Sequence, residues 1–200
     1  MPRATACRQL RGVTLAPALL ALAGLVGACG QPQRTTFDLT APGDVGARGA
    51  RGGAQLVVNE PTALQALDSD RIMVRDGAVI SYLPDGQWAD RLPKLFQVRL
   101  IQTFENASRL GRVGRPGDRV VADLGLNADL RTFAVETATS EAVVEVTVRI
   151  VSDRSGRVAA ARGFSARMPV SAISGPAAAQ GLDQAMGVVL RDIVRWANAR

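Results

Sequence analysis

Apolar side chains follow three patterns along these 200 residues: one unbroken run, several alternating runs, and two stretches repeating every three to four positions. The unbroken run is Val13–Ala28. The alternating runs predict strands. Thr35–Thr40 places Phe37 and Leu39 on one side, and Gln55–Asn59 follows before Pro61. Ala63–Leu67 reads as one helical turn. Arg71–Arg75 turns Ile72 and Val74 inward, and Val79–Leu83 returns as its partner. Asp76-Gly77 between them is a two-residue hairpin signal, because both residue types accept positive φ. Pro84–Gly86 is expected to break the return strand. Arg119–Asp123 and Leu126–Glu136 read as strands, and the inward parity changes between Leu130 and Phe133, which predicts a bulge. Ala142–Val151 alternates without a fault: Val144, Val146, Val148 and Ile150 in, Glu145, Thr147 and Arg149 out. Ser152–Gly156 turns into Val158–Met168, with Phe164, Ala166 and Met168 on one side, and Pro169 ends it.

The helical repeats come next. Trp88–Leu110 carries Leu92, Phe96, Leu100 and Phe104 four apart, widened by Leu95 and Ile101, with Arg91, Lys94, Gln97 and Glu105 on the other side. Asp90 is the expected N-cap, Pro93 fits the first turn, and Gly111 is the expected C-cap. A second helix starts at Ser174 and presents Ala178, Leu182, Met186, Val189, Leu190, Ile193, Val194 and Ala197. The expected fold class is α+β: a two-layer sandwich, its mostly antiparallel sheet carrying two long helices packed on one face.

The run Val13–Ala28 follows Arg3, Arg8 and Arg11 and is 16 residues long. About 20 are needed to span a bilayer as a helix. A basic start, a short apolar middle and small residues before a cut site make a secretory signal peptide. Its end, Val26-Gly27-Ala28-Cys29, resembles the bacterial lipobox. That resemblance implies cleavage between Ala28 and Cys29 and acylation of the cysteine. Residues 1–28 are then the signal peptide, 29–34 a lipid-anchored tether, and 35–200 a single domain with a flexible Gly- and Pro-rich loop at 41–54. Cys7, the other cysteine, is discarded with the leader, so no disulfide is expected.

Charge changes the picture little. The chain carries 24 basic and 18 acidic residues, and three of the arginines leave with the leader. The mild excess lacks a dense cluster and argues against nucleic-acid binding. Histidine is absent, which removes the commonest general base and metal ligand. No serine or threonine has a histidine to activate it, and the single lysine, Lys94, has no serine partner. The carboxylate neighbours Asp85 and Asp90, and Glu136 and Glu141, read as surface charges. The expectation is no catalytic residue, no metal and no cofactor beyond the covalent lipid on Cys29. The unusual stretch is Tyr82–Pro93, holding the only tyrosine and Trp88. Trp88 is read as a plug at the strand-to-helix corner; alternatively Tyr82 and Trp88 form a partner-docking corner, since such residues are enriched at interface hot spots.

Several segments together resemble the ABC-type transport auxiliary lipoproteins, also described as the membrane-integrity or paraquat-inducible lipoprotein family. They are the lipobox, Phe37–Leu39, Asp68–Ile72, Ser81–Leu83, Gln87–Pro93, Leu130–Phe133, Ala159–Phe164 and the final helix closing on Trp196. The resemblance implies a non-catalytic lipoprotein facing the periplasm. Its partners would be an MCE-type periplasmic protein and an inner-membrane ABC permease and ATPase, in a system moving phospholipid or other apolar molecules. Gly30, where an aspartate would resemble an inner-membrane retention signal, favours the outer membrane. Homo-oligomerisation stays open. So do two other readings: a lipid carrier with Phe96, Phe104 and Met186 lining a pocket, and a pilotin-like assembly lipoprotein.

Overall fold

A computed structural model describes residues 34–43, 45, 54–107, 112–119 and 121–199. These belong to one compact unit, Arg34–Arg200. The strands are β1 (Thr35–Phe37), β2 (Gln55–Val58), β3 (Thr62–Ala63), β4 (Arg71–Asp76), β5 (Val79–Trp88), β6 (Arg112–Gly114), β7 (Leu124–Glu136), β8 (Glu141–Ser152) and β9 (Val158–Pro169). The helices are α1 (Leu92–Ala107) and α2 (Gly175–Asn198). The fold is α+β, with one open sheet and two helices. Among the described helices none is long and apolar enough to cross a membrane.

β7 is the spine of the sheet. Along one side it pairs antiparallel with β8 over its whole length, and β8 pairs antiparallel with the edge strand β9. Along its other side β2, β3 and β4 follow one another, all parallel to it. β5 returns antiparallel to β4 and is joined in parallel by β1, while β6 extends the sheet beyond β2. The long pairings are antiparallel, as the alternation predicts. The parallel pairings are short and join segments distant in sequence, which alternation alone does not encode.

Several expectations are met residue by residue. The β7 register slips between Leu130 and Thr132, where the parity changes. The helical stripes are buried: Leu92, Phe96, Leu100 and Phe104 on α1, and Ala178 through Ala197 on α2. They join Leu126, Phe133, Val144, Val146 and Val148 in one core. α2 lies against β8 and β9, and α1 runs beside α2 and reaches β2 and β6.

Other expectations shift. β5 does not stop at Pro84 but runs through it to Trp88. Met73 pairs with Tyr82 and Arg71 with Gln87, so Leu83–Gly86 bulge out opposite Ile72. Proline is tolerated there because the bulge withdraws its position from the ladder. The hairpin turn sits one residue later than predicted: Asp76 pairs with Val79, and Gly77, at φ 58°, and Ala78 form the turn. α1 begins at Leu92, not Trp88, because the preceding amides are used elsewhere. Trp88 N donates to Asp70 O (2.6 Å), Ala89 N to Phe37 O (2.8 Å) and Leu92 N to Ser69 O (3.0 Å). Asp90 accepts from the adjacent Arg91 amide (2.8 Å) rather than from the first helical turn. Gln97, placed by periodicity on the polar side, is buried and donates to Val58 O (2.9 Å), which gives its amide nitrogen a partner. Arg119 and Val121–Asp123 form no strand; Asp123 instead accepts from Gln55 N (2.8 Å), and Arg112–Gly114 supplies the unforeseen strand β6. The expected C-cap, Gly111, lies outside the described residues.

Candidate functional site

Ala28 and Cys29, the expected cleavage and lipidation residues, lie outside the described residues, as does most of the expected tether. The chain that follows is held closely. β1 pairs with the end of β5, Thr35 opposite Gly86 and Phe37 opposite Trp88. Asp38 then pairs with Arg99 of α1. Thr40 donates twice to Asp183 of α2, from its amide (2.7 Å) and its hydroxyl (2.8 Å). Asn106 donates to Pro42 O (3.0 Å), and Arg195 to Val45 O (3.4 Å). Leu39 and Val45 are buried. Of residues 41–54, expected to form a flexible loop, Pro42 and Val45 are stitched to the two helices as a strap, while 44 and 46–53 lie outside the described residues.

The Tyr82–Trp88 corner is built around the β5 bulge. Trp88 is only 2% exposed, its indole edge-on to Phe133 with centroids 5.8 Å apart. It plugs the strand-to-helix corner from inside, and its ring offers no surface to a partner. Tyr82 is half-buried on the other side of the strand. Its hydroxyl donates to Ala66 O (3.0 Å), and the Arg71 guanidinium lies 4.1 Å from the ring centroid. The two aromatic residues thus do not share a surface: Tyr82, under Arg71, is the accessible half of the expected docking pair.

Behind Trp88 the bulge meets α2. A Cβ on Gly86 would lie 3.0 Å from the Gly175 Cα, and one on Gly175 would lie 3.1 Å from the Gly86 backbone. Two glycines allow this crossing. Ser174 occupies the N-cap position, but its hydroxyl makes no capping bond. Asp85 does so from the bulge, accepting from Gly175 N (2.9 Å) and placing negative charge at the positive helix end. Sequence reading misses this cap. Its signal is an Asp-Gly pair inside a strand, which mimics a turn.

The carboxylates are each engaged separately. Asp85 caps α2, Asp90 pairs with Lys94 (2.6 Å), Glu136 with Arg75 (3.5 Å) and Glu141 with Arg167 (3.5 Å). The Lys94 ammonium, and then the Arg91 amide, hold the Asp90 carboxyl below its ordinary range. The Asp68 carboxylate raises Arg91 above its own, with Glu60 also nearby. Among the described residues no group of three or more Asp, Glu, His or Cys is gathered closely enough to hold a metal ion. Phe96, Phe104 and Met186, the expected lining of a lipid pocket, are packed into the core. A cavity of about 200 Å³ lies elsewhere, beside the β4–β5 hairpin, between Leu64, Ala66, Met73 and Ile80 with Arg75 and Arg131 at hand.

The described domain is thus an α+β module strapped across its helices, with Asp85, Asp90, Glu136 and Glu141 each engaged in a structural pair. The chain belongs to the family of ABC-type transport auxiliary lipoprotein components, whose model matches residues 37–194. It is 31% identical over 180 residues, 89% of its length, to an uncharacterized protein of Bradyrhizobium diazoefficiens. The chain spans about half the length of that curated relative, 48%. The crystal structure of a Xanthomonas campestris protein is similar at 25% identity and a TM-score of 0.73, covering 82% of this chain and 95% of that one. A second crystal structure, of an uncharacterized protein, shares the fold at 12% identity and a TM-score of 0.66, covering 82% of this chain and 99% of the other.

Proposed function

We propose that this protein is a non-catalytic, outer-membrane lipoprotein of an ABC and MCE-type transport system that moves phospholipid or another apolar molecule through the periplasm. The observation carrying this reading is the family match over residues 37–194 directly behind the lipobox at Cys29. Diacylglyceryl and acyl chains on Cys29 hold the protein on the membrane, because each buried methylene contributes about 0.8 kcal/mol. The partner is an MCE-type periplasmic protein, linked in turn to an inner-membrane permease and ATPase. The face carrying Tyr82 and Arg71 docks on it, with Trp88 fixing the corner from behind.

Fatty-acid labelling and capture test both halves. The wild type incorporates labelled palmitate and co-purifies with the MCE-type component. Cys29→Ser loses the label and leaves the membrane fraction, and Tyr82→Ala weakens capture in a protein that keeps its fold. An unlabelled wild type, with Cys29→Ser still in the membrane fraction, rejects the anchor. Undiminished capture by Tyr82→Ala rejects the docking face.

A further inference from the structure

Exposed apolar side chains are divided unevenly between the two ends of the domain. One end is formed by the β4–β5 hairpin tip, the β7–β8 turn, and the segment from the end of β9 to the start of α2. Backbone bonds hold these pieces together: Thr137 N donates to Arg75 O (2.9 Å), and Val170 N to Ser140 O (2.9 Å). At the far end of the last segment, Gly175 N donates to the Asp85 carboxylate in the β5 bulge and so ties it to β5. Val79 (67% exposed), Ile80 (48%) and Ile173 (42%) stand at this end, and Leu64 (74%) shares the cavity beside the hairpin with Gly77 and Ile80. Of the large exposed apolar residues described, only Val121 and Val158 lie at the opposite end, where β7 and β9 begin.

The chain comes to β1 from the side of the first end and meets β5 at Gly86, in the bulge opposite Ile72. β1 runs parallel to the last residues of β5, which descend from the hairpin tip, so Thr35 is the residue of β1 nearest that tip. Cys29 precedes Thr35 by six residues, a reach of roughly 20 Å even when fully extended. Single exposed apolar residues need no explanation. Their gathering at the end where a short lipid tether must arrive does.

We propose that this end is a membrane-contacting surface, resting on the lipid-anchor reading above. Val79 and Ile80 at the hairpin tip, Leu64 beside it and Ile173 before α2 seat against the bilayer that holds the acyl chains of Cys29. Asp76 flanks the tip, so the contact stays at the level of the headgroups and upper acyl chains, where apolar side chains insert and charges remain wet. The domain is then held in one orientation, with the Val121 and Val158 end directed away from the lipid.

The test uses the full-length lipidated protein in vesicles of phosphatidylethanolamine and phosphatidylglycerol. Single cysteines at Ile80→Cys, Ile173→Cys, Val121→Cys and Val158→Cys carry an environment-sensitive fluorophore; acylated Cys29 does not react. With brominated acyl chains in the vesicles, the labels at 80 and 173 lose about half their emission and those at 121 and 158 lose none, as expected for interfacial insertion. Unquenched labels at 80 and 173, on a protein that floats with the vesicles, overturn the proposal and leave the anchor standing. A blue shift at 80 and 173 without lipid quenching also overturns it, and assigns the surface to a protein contact. A wild-type chain whose Cys29 reacts with the thiol reagent and which fails to float refutes the anchor, and this proposal with it.

Discussion

The β7–β8–β9 meander and the corner where β1, β5 and α2 meet are parts of one sheet-and-helix domain, yet they are specified differently. Within the meander, β7 pairs with β8 and β8 with β9 in the order of the sequence, and the inward residues Val144, Val146, Val148 and Ile150 simply alternate. At the corner, β5 holds a four-residue bulge containing Pro84, takes a parallel partner from far upstream, and is crossed by a helix from far downstream. Local pattern suffices for the first. The second depends on contacts between segments separated by about 50 to 90 residues, so tertiary structure overrides a local breaking signal.

That contrast can be broken most forcefully at Trp88. Trp88→Ala removes a fully buried ring packed on Phe133 and should cost about 3–5 kcal/mol. Denaturant unfolding measures it, and a loss below about 1 kcal/mol would mean that the corner is not held by its plug. A paired glycine experiment sharpens the comparison. Gly86→Ala pushes a Cβ against the Gly175 backbone at 3.0 Å, which cannot swing aside, and also against Ile72 (3.0 Å) and Phe37 (3.1 Å), and should destabilise by about 1–3 kcal/mol. Gly163→Ala in β9 has nothing within 4 Å, so it should be neutral or stabilise by up to about 1 kcal/mol. Equal effects at the two positions would contradict a tight crossing of β5 and α2.

The smallest effect is electrostatic. The Asp90 carboxyl is held below its unfolded value by Lys94 and Arg91, so the folded state favours its ionised form. Its contribution is complete above the unfolded carboxylate range and fades as pH falls through the lower folded value. Asp90→Asn should therefore flatten the acid limb of the stability profile slightly and reduce stability near neutrality, within the small range of an exposed pair. An unchanged profile between the two proteins on acid titration would remove this term.

The same division explains what can be read from residues alone. The bulge after Leu130 is visible as a parity change, and both helical stripes are visible as repeats, because each is written within a dozen or so positions. The start of α1 lies four residues beyond its expected place, since nothing near Trp88 announces that its amide is bonded to Asp70. Tyr82 and Trp88 read as one aromatic surface in the sequence, but the strand turns them to opposite sides and leaves only one accessible. The lipobox proposed at Cys29 is a reading of another kind: such a signal is a linear string, independent of folding, and it lies outside the described residues.

The strap from Asp38 to Val45 has a mechanical consequence. It lies along α2, meeting Asp183 first and Arg195 further on, and β1 leads into it. A pull at Arg34 loads the β1–β5 pairing first and then runs along the strap, whose fastenings share it as the rungs of a ladder share a lengthwise slide. Peeling, which would open them one after another, would need a pull from the side.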